Sequence, residues 1–92
     1  MISVVVEFGG GVDEYFHHKT SIRLTLNPDS SFNELFSLLQ ENCTLPVTNF
    51  YDNGVKPGYM LLVNDADYEL VGHDYRFENN DNVALISLVH GG

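Results

Sequence analysis

Hydrophobic and polar residues alternate along two segments near the start of the chain. In the first segment the apolar positions are Ile2, Val4, Val6 and Phe8, and in the second, from Lys19 to Leu26, they are Ile22, Leu24 and Leu26. A period of two residues is typical of a strand with one buried face. Because Gly9-Gly10-Gly11 lies between the segments, the pattern predicts an N-terminal hairpin with a glycine-rich connection.

The next segment has the period of an α-helix. Ser31-Phe32-Asn33-Glu34 matches a capping box, in which the Ser31 hydroxyl accepts from the third amide of the helix while Glu34 reaches back. The apolar residues then follow at the spacing of one helical face, namely Phe32, Leu35, Phe36 and Leu39. Asn42-Cys43-Thr44 and Pro46 end this helix, for which we expect about three turns.

The second half of the chain alternates between strand and turn signals. Tyr59–Val63 is predicted to be a strand, Asn64–Asp67 a turn, Tyr68–Val71 a short extended segment, Tyr75–Phe77 a further short strand, and Asn79–Asn82 a turn. The last predicted strand, Val83–Val89, is apolar at nearly every position. One helix for four or five strands favours a sheet that is covered by the helix on one face.

The last strand has more apolar residues than one helix layer covers. A central position in the sheet explains the burial of one of its faces, but the helix does not cover the other. The remaining set, either Ala84-Ile86-Leu88 or Leu85-Val89, is therefore a candidate partner surface. Cover by loops is the alternative explanation.

Composition limits the kinds of partner. The 92 residues suffice for one domain, and four Lys and Arg against thirteen Asp and Glu give a formal charge of −9. This charge disfavours direct binding to nucleic acids or to anionic membranes, and it favours encounter with basic protein surfaces. Cys43 is the one cysteine, so no internal disulfide is expected. Neither a secretory signal nor a membrane span is recognisable, which favours a cytoplasmic location.

Candidate sites inside the chain do not meet the requirements of their chemistry. Gly9-Gly10-Gly11 lacks the Lys-Ser/Thr pair of a phosphate-binding loop, and Asp65–Glu69 lacks the glycine and the bidentate glutamate of a calcium loop. The histidines, at positions 17, 18, 73 and 90, do not have the spacing of zinc ligands. Cys43 has no paired base nearby in the sequence. We therefore expect no catalytic residue and no metal site.

The end of the chain carries a different signal. Gly91-Gly92 follows the last apolar strand, separated from it by His90. Residues without a Cβ enter a channel too narrow for any other side chain, so a partner enzyme could reach the Gly92 carboxylate and activate it as an acyl adenylate. Glycines also end chains merely because termini are mobile, and these two residues alone leave both explanations open. We expect a domain over residues 1–89 and a flexible tail over 90–92.

Four segments together resemble the ubiquitin-related modifier family, which consists of eukaryotic sulfur carriers with a β-grasp fold. They are Val6–Gly11, Lys56–Gly58, Val63–Gly72 and Val89–Gly92, in the family's order and at nearly its spacings. The helix and the loop that follows it look shorter than in the family, Tyr68 stands where Trp is common, and the stretch from Gly72 to Tyr75 looks one residue short. The resemblance implies an α+β fold with a mixed sheet of four to five strands, covered on one face by one main helix.

The resemblance also implies a function as a sulfur carrier and protein modifier that is not itself an enzyme. An E1-like activating enzyme with a rhodanese domain would use ATP and magnesium to adenylate Gly92 and would leave a thiocarboxylate there, with Gly91 and His90 recognised as part of the tail. A tRNA thiolase complex would then pass the sulfur to wobble uridines. The same end would be conjugated to lysines of target proteins. We expect a monomer without a bound cofactor, in which only Lys19 and Lys56 offer isopeptide acceptors to a second copy.

Two other functions remain open. The first is a molybdopterin-synthase or thiamine-pathway sulfur carrier of the same fold, against which the Asn64–Gly72 segment argues. The second is a ubiquitin-like interaction domain that is not conjugated and whose tail is inert.

Overall fold

The computed structural model describes residues 1–89, which build a five-stranded sheet with one main helix packed across it. The strands are β1 (Ile2–Gly9), β2 (Ser21–Leu26), β3 (Tyr59–Val63), β4 (Ala66–Asp67) and β5 (Asp81–Ser87), and the helices are α1 (Phe32–Leu39) and α2 (Tyr68–Val71). The spatial order is β2-β1-β5-β3-β4. β1 and β5 are parallel and the other pairs are antiparallel. The predicted α+β fold with a mixed sheet is confirmed.

β5 is the central strand, as its apolar sequence predicts. Val83 lies opposite Val6 of β1 and Val63 of β3, and all three side chains are buried on the side of the sheet that faces α1. Ala84 and Ile86 point to the other face, where they are partly exposed. The surplus apolar set is therefore the one that contains Ala84 and Ile86.

α1 begins at the predicted capping box. The Glu34 amide donates to Ser31 Oγ at 3.2 Å, and the Ser31 amide donates to Glu34 Oε1 at 3.2 Å. The four residues of the predicted apolar face are all buried. The eight residues of the helix make just over two turns, and a 3-10 turn over Gln40–Asn42 continues it, so the predicted length is reached only by the two together.

Aromatic residues from the loops complete the core. Phe16, in a 3-10 helix over Val12–Phe16, stacks on Phe8 with ring centroids 4.0 Å apart. Phe32 of α1 contacts rings from three later segments, those of Tyr51, Tyr68 and Phe77. Burying a side chain of this size stabilises a fold by roughly 1.5–3 kcal/mol, so the loops contribute substantially to a core that one helix covers only in part.

The predicted extended segment over residues 68–71 is wrong, because these residues form the helix α2. Asp67 Oδ1 accepts from the Glu69 amide at 2.8 Å, which caps the start. Gly72, at φ 95°, donates its amide to the Tyr68 carbonyl at 2.9 Å and ends the turn. The helical turn directs Tyr68 into the core and leaves Leu70 84% exposed.

The predicted strand over residues 75–77 is also wrong. The Phe77 amide donates to the Ser30 carbonyl at 3.0 Å, and its ring packs edge-on against Phe32. The segment is therefore bonded to the residue before the N-cap of α1 and not to a neighbouring strand. The predicted turn at 79–82 ends early, because β5 already begins at Asp81.

Asp81 joins the start of β5 to two loops. Its side chain is 5% exposed and accepts from Asn64 Nδ2 at 2.9 Å, the Tyr75 hydroxyl at 2.7 Å and the Glu78 amide at 2.8 Å. Asn64 Oδ1 in turn accepts from the Asn82 amide at 2.9 Å. The Asn-Asp turn after β3 is thus fixed against the first residues of the central strand.

Asp81→Ala is expected to lower the free energy of unfolding by about 2–4 kcal/mol, because three donors lose their acceptor in a poorly hydrated place. Tyr75→Phe is the matched control, since it removes one of the three bonds and should cost only about 1 kcal/mol. Urea unfolding monitored by circular dichroism measures both. Equal losses for the two variants would show that Asp81 does not act as the shared acceptor.

The fold should lose stability at alkaline pH. Burial, followed by the hydrogen bond to the Asp81 carboxylate, raises the pKa of Tyr75 well above its ordinary value of about 10. Burial and the hydrogen bond with Tyr68 likewise raise the pKa of Tyr51. The folded state then holds protons that the unfolded state has released, so stability is complete below about pH 10 and falls as the pH rises above it. Urea midpoints between pH 8 and 11 test this, and a flatter profile is expected for Tyr75→Phe.

Candidate functional site

We call the last described residues, Ser87–Val89, the tail root, because residues 90–92 follow them in the chain. The Leu88 amide donates to the Gly58 carbonyl at 2.8 Å, which extends the pairing beyond β5. The Ser87 hydroxyl donates to the Val89 carbonyl at 2.8 Å. The tail root is therefore held by the loop before β3 and by its own hydroxyl group.

The glycine-rich turn after β1 lies against the tail root. Since β1 and β5 are parallel, both strands end at the same edge of the sheet. Gly10, at φ 64°, approaches the Ser87 carbonyl so closely that a Cβ at this position would overlap its oxygen. A residue without a side chain is required there both for the backbone conformation and for the close approach.

A cleft of about 390 Å³ opens beside the tail root. It is lined by two loops and by the root itself, through Gly10, Gly11, Val12, Glu14, Tyr15, Pro57, Gly58, Tyr59, Ser87 and Val89. Leu88 and Val89 are 57% and 64% exposed. The tail root thus combines two exposed aliphatic side chains with a neighbouring cleft.

The open face of the sheet carries an apolar outer strip, which consists of Met60, Leu62, Ala84 and Ile86. The register places Met60 beside Ile86 and Leu62 beside Ala84, and all four are partly exposed. Glu7 lies beside Ala84 on β1, and Asp67 lies beside Leu62 on β4. The outer strip therefore has a carboxylate on each side and leads toward the tail root.

The residues predicted to react or to be recognised, Gly92, Gly91 and His90, lie outside the described residues. Two of the segments that carry the resemblance, Val6–Gly11 and Lys56–Gly58, contain the glycines that contact the tail root. Val63–Gly72 begins at the opposite end of β5, where Asn64 binds Asp81. The segments that carry the resemblance therefore include the loops that contact the tail root and the turn at Asn64, which lies at the other end of β5.

Cys43 and three of the four histidines lie in the described part of the chain. Within residues 1–89, no group of three or more His, Cys, Asp or Glu side chains is placed to hold a metal ion. Over the same residues, no helix has the length and apolar character that crossing a membrane requires. Cys43 is partly buried, and this burial raises the pKa of its thiol. A thiol with a raised pKa is a poor nucleophile at neutral pH.

Comparison with known proteins decides the family. The family model described as Urm1 (Ubiquitin related modifier) matches residues 3–92. The chain belongs to the ubiquitin-related modifier family. Ubiquitin-related modifier 1 from Gallus gallus is 36% identical to this chain over an alignment of 97 positions. The alignment covers 99% of this chain and 96% of the relative.

Solved structures agree with this membership. Urm1 from Trypanosoma brucei, whose solution structure is known, is 32% identical to this chain. The two structures superimpose with a TM-score of 0.77 over 98% of this chain and 95% of the Trypanosoma brucei chain. A protein chain in the crystal structure of the BexX/CysO complex from Amycolatopsis orientalis shares the fold, with a TM-score of 0.76 and 14% identity. The superposition covers 97% of this chain and 99% of that chain. The protein is a ubiquitin-like modifier or sulfur carrier of this family, which agrees with the prediction that it is not itself an enzyme.

Proposed function

We propose that this protein carries sulfur on its C-terminal glycine. An E1-like activating enzyme with a rhodanese domain uses ATP and magnesium to adenylate Gly92, with release of pyrophosphate. A persulfide of the same enzyme then displaces AMP to give an acyl disulfide, and a second thiol of the enzyme cleaves its S–S bond, which leaves a thiocarboxylate on Gly92 and a disulfide on the enzyme. A tRNA thiolase complex transfers this sulfur to wobble uridines in the cytoplasm. The same activated end is joined to lysines of target proteins. The observation that carries the proposal is a family match that runs through Gly92.

The arrangement around the tail root supports this proposal. The Gly58 carbonyl accepts from the Leu88 amide, and Gly10 lies close to the Ser87 carbonyl, so the last three residues start from a fixed point at one edge of the sheet. His90 and Gly91 then connect this point to the reacting carboxylate, and two glycines without side chains suit a narrow active-site channel. A fixed starting point lowers the conformational entropy that is lost when the tail is inserted.

Charge supports the division of work between this protein and its partners. A chain of net charge −9 is repelled by tRNA, so the thiolase complex has to hold the RNA. A thiocarboxylate is a better nucleophile than a carboxylate because its sulfur is softer and less tightly hydrated. The protein therefore needs only to present the sulfur, and a monomer suffices for this role.

The test is an intact-mass measurement. The full chain is incubated with an activating enzyme of this family, ATP, magnesium and a persulfide donor, and a known carrier serves as the positive control. We expect a mass increase that corresponds to the exchange of one oxygen for one sulfur at Gly92. An unchanged mass while the control carrier is charged would indicate an inert tail and an interaction domain.

The outer strip is the surface that we assign to the activating enzyme. It is apolar, it has Glu7 and Asp67 at its sides, and it leads toward the exposed side chain of Leu88. An enzyme surface with an apolar centre and basic sides would fit it. The complex that the related fold of Amycolatopsis orientalis forms with BexX is consistent with docking by such domains.

Ile86→Glu is expected to raise the KM for activation roughly tenfold or more, with a smaller effect on kcat, because a charge in the centre of an apolar interface is left without solvation. The matched control is Thr25→Glu, which adds the same charge to the same face of the sheet on the edge strand β2. The measurement is the rate of AMP formation at varied carrier concentration, with thermal unfolding as a check of the fold. Equal KM values for the two variants would contradict docking through the outer strip.

A further inference from the structure

Lys56 lies next to the tail root. It is exposed and opens a turn in which the Tyr59 amide donates to the Lys56 carbonyl at 3.2 Å. Tyr59 is the direct partner of Ser87 across the antiparallel pair. The first and last Cα atoms of such a turn lie less than about 7 Å apart, and paired Cα atoms of antiparallel strands lie about 5 Å apart. The Cα atoms of Lys56 and Ser87 are therefore at most about 12 Å apart.

The remaining chain is long enough to reach this lysine. Five residues from Ser87 to Gly92 extend up to about 17 Å, and the lysine side chain adds its own length. Lys56 and Leu88 also line one groove of about 280 Å³, so the lysine and the tail root border the same concave surface. We propose that Lys56 is an acceptor for the chain's own activated C-terminus and forms an isopeptide bond with Gly92 within the same molecule.

The other amines are placed less favourably. Lys19 lies at the same end of the sheet, because the Phe8 amide donates to the Thr20 carbonyl and Gly9 lies opposite Ile86. It is exposed on the far side of β1, however, so β1 separates it from β5, and it lines neither the cleft nor the groove at the tail root. The amino group of Met1 precedes Ile2, which pairs with Leu26 near the opposite end of the sheet. Lys56 is therefore the amine that shares a surface with the tail.

The reaction rests on the proposed activation of Gly92. The neutral amine of Lys56 attacks the acyl carbon of the Gly92 adenylate, a C–N bond forms, the bond to the phosphate oxygen breaks, AMP leaves, and the ammonium proton passes to water. Because both groups belong to one molecule, the amine acts at a high effective concentration. An adenylate that leaves the enzyme before it receives sulfur would therefore end as a closed amide that can carry no sulfur.

A chemically activated chain tests this proposal without the activating enzyme. Residues 1–92 are prepared with a C-terminal mercaptoethanesulfonate thioester at Gly92 and incubated at mildly alkaline pH with excess free thiol, which reverses exchange with Cys43. In the expected reaction the amine displaces the thiol, so the product has the mass of the free acid less one water. Peptide mapping should find Gly92 joined to Lys56, and the closed fraction should not change on tenfold dilution.

Two variants decide the outcome. Lys19→Arg should cyclise as the unaltered chain does, whereas Lys56→Arg should lose at least about 90% of the closed product, since its guanidinium is not a nucleophile at this pH. Hydrolysis alone in the unaltered chain, undiminished closure in Lys56→Arg, or a product that forms only as a dimer would overturn the proposal. Because the thioester is made chemically, each of these results is independent of whether an activating enzyme charges Gly92.

Discussion

A chain that ends at Gly91 is expected to lose activation almost completely while its thermal stability stays nearly unchanged. Removing Gly92 moves the terminal carboxylate back by about 3.5 Å, and a misplacement of only about 1 Å already costs on the order of 100-fold in rate. The core and the hydrogen bonds of Asp81 all lie before Val89, so they do not depend on the last residue. Adenylation is measured as ATP–pyrophosphate exchange, and stability as the midpoint of thermal unfolding.

Gly92→Ala is the control for this deletion. It keeps the length of the chain and its carboxylate and adds only a methyl group, so it should retain a measurable part of the exchange activity. Full exchange activity of the shortened chain would contradict the assignment of Gly92 as the reacting residue. A fall of the unfolding midpoint by more than about 4 °C would correspond to about 1 kcal/mol and would indicate a structural role of the tail.

Gly10→Ala is expected to destabilise the fold by about 2–4 kcal/mol and to displace the tail root. Its new Cβ would overlap the Ser87 carbonyl oxygen, and the residue would have to keep a φ of 64°. Gly11→Ala separates the two causes. Gly11 has a φ of 93°, but a Cβ added there would meet no atom within 4 Å, so this variant carries only the backbone cost of about 1 kcal/mol.

Urea unfolding gives the stabilities of both glycine variants, and amide hydrogen exchange at Leu88 reports on the tail root. Exchange at Leu88 should accelerate in Gly10→Ala, because a displaced Ser87 weakens the neighbouring bond to the Gly58 carbonyl. In Gly11→Ala this amide should stay protected. Equal destabilisation of the two variants would show that the close approach of Gly10 to β5 is not important for stability.

Local patterns in the sequence were sufficient for the elements with the longest periodic segments. The capping box and the apolar face of α1, and the alternation in β1 and β2, describe interactions between residues close in sequence. α2 was missed because four residues are too few to distinguish a helical period from a strand. The 3-10 helix over Val12–Phe16 was missed for the same reason, although it supplies the buried ring of Phe16.

The surroundings of the candidate site depend on contacts between distant parts of the chain. The glycine run was recognised as a turn, but its contact with Ser87 follows from the parallel pairing of β1 with β5, which a single sequence does not encode locally. The bond between Leu88 and Gly58 likewise joins two loops. The tail itself was predicted from its composition and from the family resemblance, and its roles at His90, Gly91 and Gly92 remain predictions.

The central position of β5 has a consequence for biosynthesis. β5 follows β1 and β3 in the chain but lies between them in the sheet, so a ribosome-bound or prematurely terminated chain that has not yet made β5 lacks the middle of its sheet. Such a chain leaves the apolar sides of Val6 and Leu61 without their partners Val83 and Leu85. Chains that stop before β5 are therefore candidates for removal by chaperones and proteases.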